Sequence, residues 1–90
     1  MKKKELLDIY NEFEPIAMYY VEKEDLNLLH PLKYSFKLFK YSIDRFEYEI
    51  QERLAHTKLL NGLKSLLDYA EEEDLKEDIK KQIRRLEDES

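Results

Sequence analysis

The sequence contains no cysteine and no tryptophan, and its 90 residues include one glycine and two prolines. Without thiols there is no cysteine nucleophile, no Cys-ligated zinc and no disulfide staple, and the expected compartment is a cell interior, the cytoplasm. A single glycine cannot build a Gly-rich loop that cradles phosphate. No apolar run approaches the roughly 18 residues that a membrane-spanning helix needs. Glu5 and Asp8 interrupt the stretch after Met1-Lys2-Lys3-Lys4, so a secretion signal is not expected either. What is abundant is charge and apolar residues in near-equal measure, 41% and 42%. That balance, in a chain of this length, describes one small folded domain rich in helix and not a disordered tail.

Charge is unevenly placed. Residues 1–31 hold seven acids and four bases, residues 32–67 four acids and seven bases, and residues 68–90 ten acids and five bases. A basic middle between acidic ends favours folding the flanks back beside the centre, where opposite fields meet. The net charge of -5 disfavours binding to a phosphate backbone, which depends on clustered Lys and Arg.

Periodicity points to an all-α, elongated antiparallel bundle of three or four helices. Leu6, Ile9, Tyr10, Phe13, Ile16, Ala17, Tyr20 and Val21 share one face at 3.6-residue spacing, predicting a helix over 3–24 with Pro15 on its outer side. Asp25 to Pro31 reads as a connector, with Pro31 suited to the first turn of the next helix. Leu32, Phe36, Phe39, Ile43, Phe46 and Ile50 then follow coiled-coil-like steps of four and three and form the expected core seam. Asn61-Gly62 is a local stop signal, which predicts a central helix over 31–60, roughly 45 Å long at 1.5 Å per residue. Leu63, Leu66, Leu67 and Ala70 share a face that Leu75, Ile79, Ile83 and Leu86 do not, predicting helices over 63–71 and 74–88, or one helix with contacts on two sides. Asp74 is the expected N-cap of the last, with Glu77 completing a capping box. Glu87 to Glu89 oppose the helix dipole there, so the last few residues are expected to fray.

The central segment has a second apolar face. Tyr34, Leu38, Tyr41 and Tyr48 lie about 160° from the seam at helical spacing. Either the other helices sandwich this face within one chain, or it meets another protein, a role suited to tyrosine's large apolar area and polar tip. Lys33, Lys37 and Lys40 flank the stripe. A basic, aromatic segment of this kind can stack on bases, lie on anionic lipid or dock a helix, but lysines also commonly border apolar faces with their heads in water.

Little in the chain points to catalysis. Glu49-x-x-Glu52, followed after 18 residues by Glu71-x-x-Asp74, resembles the two-helix acidic motif of the all-alpha nucleotide pyrophosphohydrolases. The resemblance implies carboxylates on facing helices that hold magnesium against a nucleotide diphosphate. It covers eight motif positions in a chain that holds seven acid-x-x-acid pairs, where about five arise by chance. Glu72, Glu73 and Lys76 also stand where the second motif would need apolar neighbours. His30 and His56 have no zinc-site spacing. The acidic segment from Asp68 to Glu89 allows a nucleic-acid mimic of the anti-restriction or anti-CRISPR type, although Lys76, Lys80, Lys81, Arg84 and Arg85 break up its negative surface. The reading is therefore a non-catalytic protein-interaction module with no cofactor and no metal. Self-association as a dimer through Tyr34, Leu38, Tyr41 and Tyr48 is the favoured mode, a heterologous protein target the second, and the inhibitor and the pyrophosphohydrolase are the alternatives.

Overall fold

The computed structural model describes residues 1–46 and 49–89, with Glu49 described by its backbone alone. Among them are four helices, α1 (Lys3–Lys23), α2 (Pro31–Ile43), α3 (Glu49–Tyr69) and α4 (Glu73–Asp88). The chain forms the all-α bundle that its periodicity predicts. Its extents are 35 × 26 × 16 Å and its radius of gyration is 12.4 Å.

α1 carries Pro15 inside it on the exposed side, and buries Leu6, Ile9, Phe13, Ala17, Tyr20 and Val21. It ends in a Schellman arrangement. Asp25 takes a left-handed φ of 49°, the Leu26 N–H donates to the Val21 carbonyl at 2.9 Å, and the Asp25 N–H donates to that of Glu22 at 3.2 Å. Aspartate tolerates this conformation where most residues do not. The Asn27 side chain then accepts from the Leu29 N–H at 2.9 Å, and His30 caps α2 by accepting from the Leu32 N–H at Nδ1, 3.1 Å away. Pro31 occupies the first turn, where its missing N–H costs nothing.

The expected helix over 31–60 is two helices. α2 stops at Ile43, the chain turns at Asp44 to Phe46, and α3 runs from Glu49 through Asn61-Gly62 to Tyr69 without a break. One straight helix would leave half of its seam without a partner. The corner instead lays Leu32, Phe36, Phe39 and Ile43 against Ala55, Leu59, Leu63 and Leu66, all at most 1% exposed. Gly62 therefore does not end a helix; it lets two helices approach. A Cβ at that position would lie 2.8 Å from Phe36 Cε2. Ser35 and Ser42, also buried, are the small residues on the facing helix. Of the predicted seam, Phe46 is only half-buried and Ile50 is 72% exposed, because both lie at or beyond the corner.

α4 starts at Glu73, one residue earlier than expected. Its N-cap is Glu72 and not Asp74, and no side chain caps it; Glu73 and Asp74 lie in the first turn, where their charges complement the helix dipole. Ile79, Ile83 and Leu86 complete the core. Side-chain pairings fix the helix directions. Tyr10 stacks on Phe39 at 4.9 Å and Lys3 lies over Phe46 at 5.9 Å, so α1 and α2 are antiparallel. His30 meets Tyr69 at one end of α2–α3, and Phe36 faces Gly62 further along. His56 hydrogen-bonds the Leu86 carbonyl across α3–α4 at 2.7 Å. Glu5–Arg85 at 3.1 Å and Lys23–Glu71 at 2.7 Å tie α1 to α4 and to the residues leading into it, again antiparallel.

Candidate interaction surface

The register of the α2–α3 hairpin decides what lies on its outer side. Lys58 Nζ lies 5.6 Å from the Tyr34 ring centroid, which places Tyr34 on the flank of α3. The contacts of Phe36 with Gly62 and of His30 with Tyr69 set the antiparallel register, which puts Leu38 near the level of Leu60 and Tyr41 near that of Thr57. Leu54 then falls near the level of Asp44, Ile50 lies past the end of α2, and Tyr41 lines the groove between α1 and α2. Tyr34, Leu38 and Tyr41 share the outer face of α2, and Ile50 and Leu54 are exposed on α3. Tyr34 is 41% exposed, Tyr41 56%, Leu54 44% and Ile50 72%, with Leu38 half-buried between them. Tyr48, the fourth residue of the expected face, lies outside the described residues. The contribution of α3 is not evident in the sequence, where the spacing assigns Ile50 to the core seam. The loss of the seam after Ile50, where Arg53 and Thr57 stand at apolar positions, was the available signal.

Cations frame the stripe. The Arg45 guanidinium lies 3.7 Å from the Tyr41 ring centroid and donates to the Tyr41 carbonyl at 3.2 Å, holding that ring flat against the end of α2. Lys40 pairs with Asp44 at 3.5 Å. Beside the stripe, Tyr10, Met18 and Phe36 floor a groove of about 400 Å³ between α1 and α2, rimmed by Lys33 and Lys37. Burial there, reinforced by the carboxylates of Glu14 and Asp44, raises the Tyr10 phenol above its ordinary value.

Both histidines have structural partners. Because His30 Nδ1 accepts the helix-capping hydrogen bond, its proton sits on Nε2, which donates to the Tyr69 hydroxyl at 2.9 Å. His56 Nε2 donates to the Leu86 carbonyl in the last turn of α4, which also accepts from the Glu89 N–H at 3.3 Å. The two acidic pairs do not come together. Glu52 lies in the first turn of α3 and Glu71 just past its other end, so nearly the whole length of α3, roughly 26 Å, separates them. Among the described residues no three His, Asp or Glu side chains gather where a metal ion could be held. Along α4, Lys76 and Lys80 pair with Glu73 and Glu77, each at 3.5 Å, which interrupts any phosphate-like row of carboxylates. No described helix is long and apolar enough to cross a membrane. Compared with known protein families, curated proteins and solved structures, the chain matches none.

Proposed function

We propose that this protein is a non-catalytic interaction module that self-associates through the outer side of its α2–α3 hairpin. The carrying observation is that Tyr34, Leu38 and Tyr41 line one face of α2, with Ile50 and Leu54 exposed on the neighbouring α3; the other exposed large apolar side chains among the described residues are Tyr19 near the end of α1 and Leu28 and Leu29 in the α1–α2 connection. The combined exposed area of the α2 and α3 residues is on the order of 400 Å², the size of the largest apolar patch on a typical monomer, which is often functional. It is about half of what one partner contributes to a standard interface, and the stems of Lys33, Lys37 and Lys58 supply further apolar area at its edge. Tyrosine and arginine are enriched at interface centres, and the lysines belong to a polar rim.

Sedimentation or light scattering across a concentration series tests the reading. The wild-type chain is expected to dimerise. Tyr41→Glu combined with Ile50→Glu is expected to weaken the dimer about tenfold or more with helicity unchanged, since both side chains are exposed in the monomer and their charges would be buried only on association. A chain that stays monomeric at millimolar concentration would overturn it, and so would a dimer indifferent to both substitutions.

A further inference from the structure

Between α1 and the start of α4 lies a pocket of about 490 Å³ in which aromatic and aliphatic side chains stand beside carboxylates. Ile16, Tyr19 and Tyr20 come from α1, Leu75 from α4, and Glu71 and Glu72 from the α3–α4 connection. The rings of Tyr19 and Tyr20 meet edge to face at 5.0 Å. A cation already sits here. Lys23 Nζ lies 5.9 Å from the Tyr19 centroid and 5.8 Å from that of Tyr20, and it donates to Glu71 Oε1 at 2.7 Å. That hydrogen bond raises the Lys23 pKa above its ordinary value, so the ammonium stays charged. Lys23 does not use up the site. Glu72 has no ion pair among the described residues, Tyr19 remains 58% exposed, and residues 68–74 carry five acids and no base. No residue of α2 or α3 lines the pocket, which is therefore separate from the face assigned to self-association.

We propose that this pocket docks a basic segment of a partner protein through an arginine or lysine side chain, which takes the place of Lys23. The match is one of charge and of side-chain anatomy. A long cationic side chain has an apolar stem and a charged head. Ile16 and Leu75 suit the stem, while the tyrosine rings and the carboxylates of Glu71 and Glu72 suit the head. The chain itself holds a guanidinium against a tyrosine face at Arg45, 3.7 Å from the Tyr41 centroid. An anionic ligand would meet the two carboxylates with repulsion, and an uncharged one would leave them without a partner. The net charge of -5 draws basic partners towards the protein, and the acids of residues 68–74 direct them to this end of it. Lys23, tethered to one wall of the pocket, is an intramolecular competitor for the same contacts.

Hexa-arginine with blocked ends, titrated into the protein while backbone amide shifts are followed by NMR, tests the proposal. The shifts are expected to concentrate at residues 15–24 and 70–76 and to fade at high salt. Tyr19→Ala and Glu72→Gln are each expected to weaken binding about threefold or more, as loss of one cation–π contact or one charge partner would. Both side chains are exposed, so neither change threatens the fold. Lys23→Ala is expected to strengthen binding about threefold or more, because the competitor is gone. Glu52→Gln, which removes the same charge at the other end of α3, is expected to leave the affinity unchanged. Shifts spread evenly over the acidic surface, or an affinity that falls as far in Glu52→Gln as in Glu72→Gln, would reduce the effect to diffuse charge attraction and overturn the proposal. So would weaker binding in Lys23→Ala, which would make Lys23 a support of the pocket and not a competitor for it. No binding at millimolar peptide overturns it outright.

Discussion

Tyr10 shows how much a single side chain of this bundle reports about its surroundings. Its ring stacks on Phe39 and tilts against Phe36, while its hydroxyl end shares the α1–α2 groove with Glu14 and Asp44. Burial and these two carboxylates all disfavour the phenolate, so the folded pKa lies above the ordinary 10.0. The unfolded chain therefore ionises first. The contribution of Tyr10 to stability is whole below pH 10 and is lost as the pH rises through the raised folded value. Tyr10→Phe removes the titration and keeps the stacking, so its stability is expected to fall less steeply than wild type above pH 10 in urea melts. Parallel pH profiles for the two proteins would contradict this. At the same scale, the sequence disclosed that Tyr10 belongs to the inner face of α1, but not its carboxylate neighbours. Glu14 is one turn away on the same helix, whereas Asp44 arrives only through the pairing of α1 with α2. His30 is similar: the His-Pro step announced a helix start, but the cap at Nδ1 and the bond to Tyr69, 39 residues away, depend on how the hairpin closes.

At the scale of elements, the faces of the helices were legible and two of the boundaries were not. Apolar spacing identified the buried sides of α1, α2 and α4 because a helix buried on one side repeats its core residues every three or four positions. It could not locate the α2–α3 corner, since Leu32 to Ile50 keep one phase across it and Asp44-Arg45-Phe46 contains no breaker. Nor could it interpret Gly62, because a glycine that ends a helix and one that admits a neighbouring ring look alike in a single sequence. The structure separates the two by distance, with the ring of Phe36, itself 1% exposed, occupying the space of the missing Cβ. Gly62→Ala should gain about 1 kcal/mol of helix propensity and lose about 1–3 kcal/mol to overpacking. A net loss is expected, because the ring that must move is held in the core between α1 and α3. Thermal melts followed by circular dichroism should show Tm lowered by several degrees, and Phe36→Leu in the same background should recover part of it through coupling across the contact. A Tm that rises on Gly62→Ala alone would mean that the helices are free to separate.

At the scale of the whole molecule, ion pairs among the described residues join the two acidic flanks to each other as well as to the basic middle. Glu5–Arg85 and Lys23–Glu71 join the two flanks to each other, and the Met1 amino group reaches Glu89 at 3.3 Å; Lys64–Glu87 ties the middle to an end. Sequence charge alone suggested a meeting of middle and ends, because it cannot say which helices are neighbours. The outcome leaves Lys33 and Lys37 on the α2 surface beside the aromatic stripe, and it spreads the acids along the bundle. That distribution bears directly on the pyrophosphohydrolase resemblance. Its two acidic pairs would need to lie on facing helices, but Glu52 and Glu71 bracket α3 at opposite ends of the bundle. Glu71 moreover is engaged with Lys23. Magnesium at about 10 mM is therefore expected to leave Tm unchanged, since a cation stabilises a fold only by binding its native state more tightly than the unfolded chain. No pyrophosphate release from nucleoside triphosphates is expected in the same buffer. A rise of several degrees with magnesium that disappears in Glu52→Gln would require the two ends of α3 to be brought together, between chains if not within one, and would turn the interaction module into a candidate enzyme assembled by association.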